Sequence, residues 1–264
     1  MRFAVHGTKG PFVVKLAGIA GGIRLYDEEV ARAAEAGFRV LAVDVSGDRR
    51  DDPPQHPLSW DSYAADVIEA MDRAGAQRAV LWGTSFGCLI SLAVAARHPD
   101  RIAGLLLTHP PDPEWRPGPQ MGLLAFAERR GNPDVTVRLM FSPTFLGLTS
   151  WEVFSPALLV RLPGLTRRSL EAATPGSSIR RKLQLLFGEP PGLPQPGTPV
   201  EILASKWDLV APCAGARRLA ARIPGAKIHL LNFSGHAAAF TRPRAHIEIV
   251  LAALKRLTEA ANER

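Results

Sequence analysis

Residues 79–96 read Ala-Val-Leu-Trp-Gly-Thr-Ser-Phe-Gly-Cys-Leu-Ile-Ser-Leu-Ala-Val-Ala-Ala. The stretch joins an apolar run, a Gly-x-Ser-x-Gly turn from Gly83 to Gly87, and a second run whose apolar residues recur at helical spacing. This order predicts a buried strand, a sharp turn and a helix, with Ser85 held above the edge of a sheet. Small residues on both sides of the serine allow the two backbone segments to approach closely. Ser85 is therefore a candidate nucleophile.

Apolar runs of strand length alternate with helical runs on both sides of this stretch. Further strands are predicted at 12–16, 38–45, 102–108, 200–204 and 227–231. Each run is apolar throughout instead of alternating, which is typical of a mainly parallel sheet with helices on both faces. The sequence therefore predicts an α/β fold with a mostly parallel central sheet.

Local signals predict several turns and helix ends. Ser59 is a candidate N-cap of a helix that reaches residue 74, and Gly75 and Gly37 are candidate glycines at helix C-termini. At the start of the chain, residues 2–5 lead into the turn-forming segment 8–11, which precedes the strand at 12–16. This arrangement favours an opening β-hairpin.

The alternation of strands and helices stops between residues 110 and 199. Short helical runs separated by proline and glycine clusters predict a helical cap at 112–197, inserted into a core domain made of 1–111 and 198–264. Several large apolar residues of this segment either line an apolar acyl pocket or form the core of the cap. The core of the cap is the favoured interpretation. These residues are Phe126, Phe141, Phe145, Trp151, Phe154 and Leu158. The sequence assigns no individual substrate-binding residue.

Composition narrows the range of partners and locations. The net charge is +7, but the excess is spread thinly along the chain, so we expect no nucleic-acid partner. The chain begins without the pattern of a signal peptide and has no run of 18 apolar residues, so we expect a cytoplasmic protein that does not enter a membrane. Two cysteines and seven histidines without metal-ligand spacing predict neither a disulfide framework nor a metal site.

A serine nucleophile needs a base and a group that orients the base. Asp208 follows the strand at 200–204, and His236 follows the strand at 227–231. The carboxyl ends of parallel strands meet at one edge of the sheet, where Ser85 is also expected. Serine, aspartate and histidine also follow one another in the chain order typical of such folds. Asp112, just past the strand at 102–108, is the alternative acid.

Acyl transfer by a serine also needs N–H donors for the oxyanion that forms in the reaction. The backbone N–H of Phe86, directly after the nucleophile, is the first candidate. The second is the backbone N–H of Ile19, in the loop after the strand at 12–16. The glycines of that loop could instead serve only the turn.

Three segments together resemble the α/β-hydrolase superfamily, in its branch of single-domain serine hydrolases that carry a cap. They are residues 83–87, residues 207–212 and residues 234–236, and the resemblance covers 1–111 and 198–264. It implies Ser85, Asp208 and His236 as a catalytic triad, Phe86 and Ile19 as oxyanion donors, and no cofactor. The chain departs from many relatives in having Ala17-Gly18 where they have a His-Gly pair.

We therefore predict hydrolysis of a small carboxylic ester, with an apolar acyl group, through a covalent acyl-enzyme. A thioesterase that acts on acyl-coenzyme A or on an acidic acyl-carrier protein is the main alternative, because the chain is basic. A carbon–carbon bond hydrolase, a perhydrolase and a non-catalytic ligand-binding protein are further alternatives. The oligomeric state and the acyl chain do not follow from the sequence.

Overall fold

The computed structural model describes residues 1–19, 22–49, 51, 54, 56–112, 160, 163, 164, 167, 174, 176–188 and 190–262. Its strands are β1 Arg2–His6, β2 Phe12–Leu16, β3 Arg39–Asp44, β4 Ala79–Thr84, β5 Ile102–Thr108, β6 Val200–Ser205 and β7 Lys227–Leu231. Its α-helices are α1 Asp27–Glu35, α2 Trp60–Arg73, α3 Phe86–Arg97, α4 Gly176–Phe187, α5 Cys213–Ala221, α6 Ala238–Thr241 and α7 Pro243–Asn262. Short 3-10 turns lie at Ile23–Tyr26 and Pro99–Arg101.

The described strands form one seven-stranded sheet in the order β1-β3-β2-β4-β5-β6-β7. Every neighbouring pair is parallel except β1 and β3, which are antiparallel. The predicted mostly parallel α/β sheet is confirmed. Because β4, β5, β6 and β7 are all parallel, the loops that follow β6 and β7 open at the same sheet edge as the end of β4.

The predicted opening hairpin is wrong. β1 pairs with β3, and β2 lies between β3 and β4. All five residues of β2 are buried, whereas β1 is largely exposed, so β2 belongs in the sheet interior and β1 forms an edge. The turn residues at 8–11 reverse the chain, but they do not decide which strand β1 pairs with.

Two apolar layers cover the two faces of the sheet. One layer packs α2, α3 and α5 on one face, and the other packs α1 and α7 on the opposite face. Successive residues of β2 show the alternation, since Val14 belongs to the first layer and Val13 to the second. Helices on both faces bury nearly every residue of β2, β3, β4, β5 and β6, which explains the continuous apolar runs of these strands in the sequence.

The predicted helix ends agree with the structure. Ser59 caps α2 by accepting a hydrogen bond from the Ser62 N–H at 3.1 Å, and the Ser62 hydroxyl accepts the Ser59 N–H at 2.8 Å. Gly75 follows α2 with a φ of 71°, and Gly37 follows α1 with a φ of 96°. Both glycines end their helices in a left-handed conformation that they adopt at little cost.

The cap predicted at 112–197 lies mostly outside the described residues, as do the six apolar residues named for it. Within that segment, one of the short helical runs corresponds to α4, whose Leu185 joins the first apolar layer. The division into core and cap stays a prediction. Among the described residues, no helix is long and apolar enough to cross a membrane.

Candidate active site

Ser85 lies at a sharp turn between the end of β4 and the start of α3. Its φ of 52° and ψ of −117° place it in a region that costs a non-glycine residue roughly 1–2 kcal/mol. The Ser85 N–H donates to the Thr108 carbonyl oxygen at 2.9 Å, and the Ser85 carbonyl oxygen accepts the Cys88 N–H at 2.9 Å. These two bonds hold the strained residue in place.

Both glycines of the turn are required by close backbone contacts. A Cβ on Gly83 would lie 2.4 Å from the Gly87 carbonyl oxygen, and a Cβ on Gly87 would lie 2.5 Å from the Leu16 carbonyl oxygen. Any side chain at either position would push α3 away from β4 or β2. The Gly-x-Ser-x-Gly pattern is therefore needed to bring strand and helix this close.

The structure brings Ser85, His236 and Asp208 together, although the sequence separates them widely. His236 Nε2 lies 3.1 Å from Ser85 Oγ, and His236 Nδ1 lies 2.8 Å from Asp208 Oδ2. The imidazole therefore bridges a hydroxyl and a carboxylate, each at hydrogen-bond distance. Facing an ionised carboxylate, Nδ1 carries the ring proton, which leaves Nε2 free to accept a proton from the hydroxyl.

The Asp208 carboxylate is completely buried and held by the backbone of its own loop. Its Oδ1 accepts the N–H groups of Val210 at 2.9 Å and Ala211 at 2.7 Å. The Trp207 N–H donates to the Ser234 carbonyl oxygen at 3.0 Å, which joins the loop after β6 to the loop after β7. Contacts on both carboxylate oxygens hold the carboxylate beside the His236 ring.

Asp112, the alternative acid, does not contact His236. Its carboxylate forms an ion pair with Arg218 of α5, and Arg218 Nε donates to Asp112 Oδ2 at 2.9 Å. The structure therefore places Asp208, and not Asp112, at the imidazole.

The two predicted oxyanion donors belong to two segments that lie next to Ser85. Phe86 is the first residue of α3, where backbone N–H groups have no partner within the helix and favour an anion. The loop after β2 packs against the turn, since a Cβ on Gly18 would lie 3.6 Å from Ser85 Cβ. Ile19 follows directly in this loop. The role of both N–H groups stays a prediction.

A buried ion pair that the sequence does not predict lies beside this loop. Lys182 of α4 contacts the Asp48 carboxylate, and its Nζ lies 3.5 Å from the Ile19 carbonyl oxygen. Burial raises the pKa of Asp48 to about 6, although Lys182 acts in the opposite direction. Lys182 thus joins α4 to the loop after β3 and to the loop of Ile19. The members of the ion pair are 134 positions apart in the chain, so no local pattern connects them.

A second buried charge lies under the turn. Lys15 of β2 donates to Glu29 Oε2 at 3.0 Å and to Thr84 Oγ1 at 2.7 Å, and its Nζ lies 3.7 Å from the centre of the Trp82 ring. Burial lowers the pKa of Lys15, and the neighbouring Glu29 opposes that effect. Thr84 directly precedes Ser85, so Lys15 supports the end of β4. A lysine inside an apolar strand is the signal that could have revealed this group.

The described residues contain no group of three or more His, Cys, Asp or Glu side chains that could hold a metal ion. Cys88 is buried in α3, and burial raises the pKa of its thiol. Its sulfur lies 3.2 Å from the Gly83 carbonyl oxygen and 3.3 Å from the Thr108 carbonyl oxygen, either of which can accept the S–H, so this cysteine serves the packing of the turn.

Comparison with known proteins agrees with the observed fold. The sequence model of the family described as "alpha/beta hydrolase fold" matches residues 11–149. The "Putative carbamate hydrolase RutD" of Stutzerimonas stutzeri is 24% identical, over 95% of this chain and 95% of that protein. Among solved structures, an esterase from Exiguobacterium antarcticum superposes with a TM-score of 0.81 at 19% identity, covering 96% of this chain and 94% of that one. An enol-lactonase from Burkholderia xenovorans superposes with a TM-score of 0.78 at 22% identity, covering 96% of both chains.

Proposed function

The chain belongs to the alpha/beta hydrolase family, and on that premise we propose that it is a serine hydrolase that cleaves a carboxylic ester through a covalent acyl-enzyme. Ser85 is the nucleophile, His236 the general base and acid, and Asp208 the group that orients the imidazole. The observation that carries the proposal is the His236 ring, which bridges the Ser85 hydroxyl at 3.1 Å and the Asp208 carboxylate at 2.8 Å.

In the first half of the reaction, His236 Nε2 accepts the proton of the Ser85 hydroxyl while Ser85 Oγ attacks the carbonyl carbon. The resulting imidazolium lies against the Asp208 carboxylate, which stabilises its charge. The carbonyl oxygen becomes an oxyanion, and the N–H groups of Phe86 and Ile19 donate to it. Each such donor contributes about 3 kcal/mol to the transition state. Collapse breaks the ester C–O bond, and His236 Nε2–H protonates the leaving alcohol.

In the second half, water replaces the alcohol and attacks the acyl-enzyme. His236 Nε2 accepts a proton from this water, and the same N–H groups hold the second oxyanion. Collapse then breaks the bond between Ser85 Oγ and the acyl carbon, and His236 returns the proton to Ser85. The products are a carboxylic acid and the regenerated hydroxyl, so the chain's own residues supply every proton transfer.

A carbamate is the second candidate substrate. It is favoured by the name of the relative from Stutzerimonas stutzeri, which matches nearly the whole chain. The same attack on a carbamate ester breaks its C–O bond, releases the alcohol protonated by His236 and leaves a carbamoyl-enzyme. Its carbonyl carbon is less electrophilic than that of an ester because nitrogen donates electron density to it. The thioesterase alternative, with its acidic carrier partner, stays a prediction based on the basic composition.

The test compares 4-nitrophenyl esters of graded acyl length with a 4-nitrophenyl carbamate and an acyl thioester. Ser85→Ala is expected to lower kcat on the best ester by a factor on the order of 10⁶ while the protein remains folded. Ser91→Ala is the matched control, since the Ser91 hydroxyl donates to the Gly87 carbonyl oxygen at 2.9 Å within α3 and has no role in the proposed reaction. Ester hydrolysis by Ser85→Ala within tenfold of the wild-type rate would refute the proposal.

A further inference from the structure

His109 is a buried histidine beside Asp208 that the proposed reaction does not use. It directly follows β5, has a φ of 55°, and its N–H donates to the Leu203 carbonyl oxygen at 2.7 Å. Its side chain is 1% exposed, and neither ring nitrogen has a hydrogen-bond partner among the described residues. Buried polar atoms without partners are rare in native proteins, so this ring calls for an explanation.

The His109 ring lies directly behind the two groups that orient the proposed reaction. Its Nδ1 lies 3.7 Å from Asp208 Oδ2, which is the oxygen that His236 also contacts. The rings of His109 and His236 meet edge to face, with their centres 5.9 Å apart. On its other side, His109 stacks on the ring of His246, with their centres 5.6 Å apart.

Further buried groups link His246 to the end of β4. His246 Nδ1 of α7 lies 2.8 Å from Glu29 Oε1, and Glu29 pairs with Lys15. Burial raises the pKa of Glu29, but Lys15 and His246 outweigh this effect and bring that pKa from 4.5 to about 2, so Glu29 is ionised. Lys15 in turn donates to Thr84, next to Ser85.

The His109 ring itself is neutral. Burial lowers the pKa of His109 well below 6.5, and His246, His236 and Lys15 act in the same direction. A neutral imidazole has one N–H, and the ionised Asp208 carboxylate that faces Nδ1 favours the tautomer with the proton there. Oδ1 of Asp208 already accepts two backbone N–H groups, whereas Oδ2 accepts His236 alone and has capacity for a second donor.

We propose that His109 is a positioning residue whose Nδ1–H closes onto Asp208 Oδ2 when His236 becomes charged. Catalytic hydrogen bonds are often long in a free enzyme and shorten in the transition state, and 3.7 Å leaves a shift of well under 1 Å to an ordinary bond. The second donor restricts rotation of the carboxylate, so that Oδ2 stays on His236 Nδ1. The stacked His246 ring holds the His109 ring for this contact. The proposal rests on the proposed serine hydrolase function.

The test compares His109→Asn with His109→Leu. The two side chains have the same branched shape, but only asparagine places an N–H donor near the position of Nδ1, and asparagine also tolerates a positive φ. We would measure kcat and KM on 4-nitrophenyl acetate and the rate constant for labelling of Ser85 by a fluorophosphonate, both per folded molecule. His109→Gly, which accepts the positive φ without strain, provides the comparison if His109→Leu does not fold.

We expect His109→Leu to lower kcat and the labelling rate by roughly tenfold to a hundredfold, with KM unchanged, and His109→Asn to recover most of that loss. Wild-type rates in His109→Leu, or an equal loss in both variants that follows their loss of thermal stability, would overturn the positioning role. Ser85→Ala is measured in parallel. Full activity in Ser85→Ala would overturn the proposed function itself, whereas an inactive Ser85→Ala beside a fully active His109→Leu would overturn only the role of His109.

Discussion

Replacing Asp208 by asparagine tests the orientation of the His236 ring most specifically. The structure decides how the new amide must lie, because the N–H groups of Val210 and Ala211 both donate to Oδ1. The amide oxygen therefore takes the Oδ1 position, and the amide NH₂ faces His236 Nδ1, which lies 2.8 Å from the replaced oxygen. An N–H group there donates to Nδ1 and moves the imidazole proton to Nε2. His236 can then no longer accept the proton of Ser85.

The loss expected from this wrong tautomer is roughly 10⁴-fold in kcat, taken from the equivalent substitution in a serine protease. At 1.36 kcal/mol for each factor of ten, this equals about 5 kcal/mol of transition-state stabilisation. The assay measures kcat and KM on a 4-nitrophenyl ester together with the free energy of unfolding in urea. Asp112→Asn is the matched control, because this substitution weakens the pair with Arg218 but leaves the imidazole untouched. A loss of kcat below tenfold in Asp208→Asn would contradict the predicted change of tautomer. A loss of kcat in Asp112→Asn larger than that in Asp208→Asn would contradict it as well.

Two further predictions concern the turn and the buried charges beneath it. Gly87→Ala is expected to lower the free energy of unfolding by roughly 3 kcal/mol and to reduce activity, because its Cβ would lie 2.5 Å from the Leu16 carbonyl oxygen. Gly75→Ala, whose Cβ meets open space, is expected to lose only roughly 1 kcal/mol for its positive φ, and equal losses in urea unfolding would contradict this. The ionised Glu29, with its pKa lowered from 4.5 to about 2, stabilises the fold above pH 4.5, and this contribution is lost as the pH falls towards 2. The stability difference between wild type and Glu29→Gln is therefore expected to shrink by about 3 kcal/mol over that range, and a difference independent of pH would contradict the assignment.

The features that the sequence predicted well are those encoded by local or periodic patterns. The strand and helix around Ser85 follow from an apolar run, two glycines and helical spacing. Asp208 and His236 were found because parallel strands end at one edge, so residues that directly follow β6 and β7 must lie near the end of β4. The caps of α2 depend on side chains within one turn of the helix.

The features that the sequence did not predict depend on contacts between distant segments. The turn at 8–11 indicates a reversal of the chain, but β1 pairs with β3 because β2 is needed in the buried interior. Lys15, His109 and Lys182 are single residues without a motif, and each is explained only by partners brought close by the fold. A buried charge of this kind is visible in a sequence only as a polar residue in an apolar setting.

Chemical identification of the reactive residue decides whether Ser85 is the nucleophile and His236 its base. The protein is treated with a fluorophosphonate, digested, and the modified peptide is sequenced by mass spectrometry, with His236→Ala treated in parallel. We predict one adduct, on the Ser85 hydroxyl, formed by the wild type and nearly lost in folded His236→Ala. An adduct on another residue, or labelling of Ser85 at the same rate without His236, would contradict it.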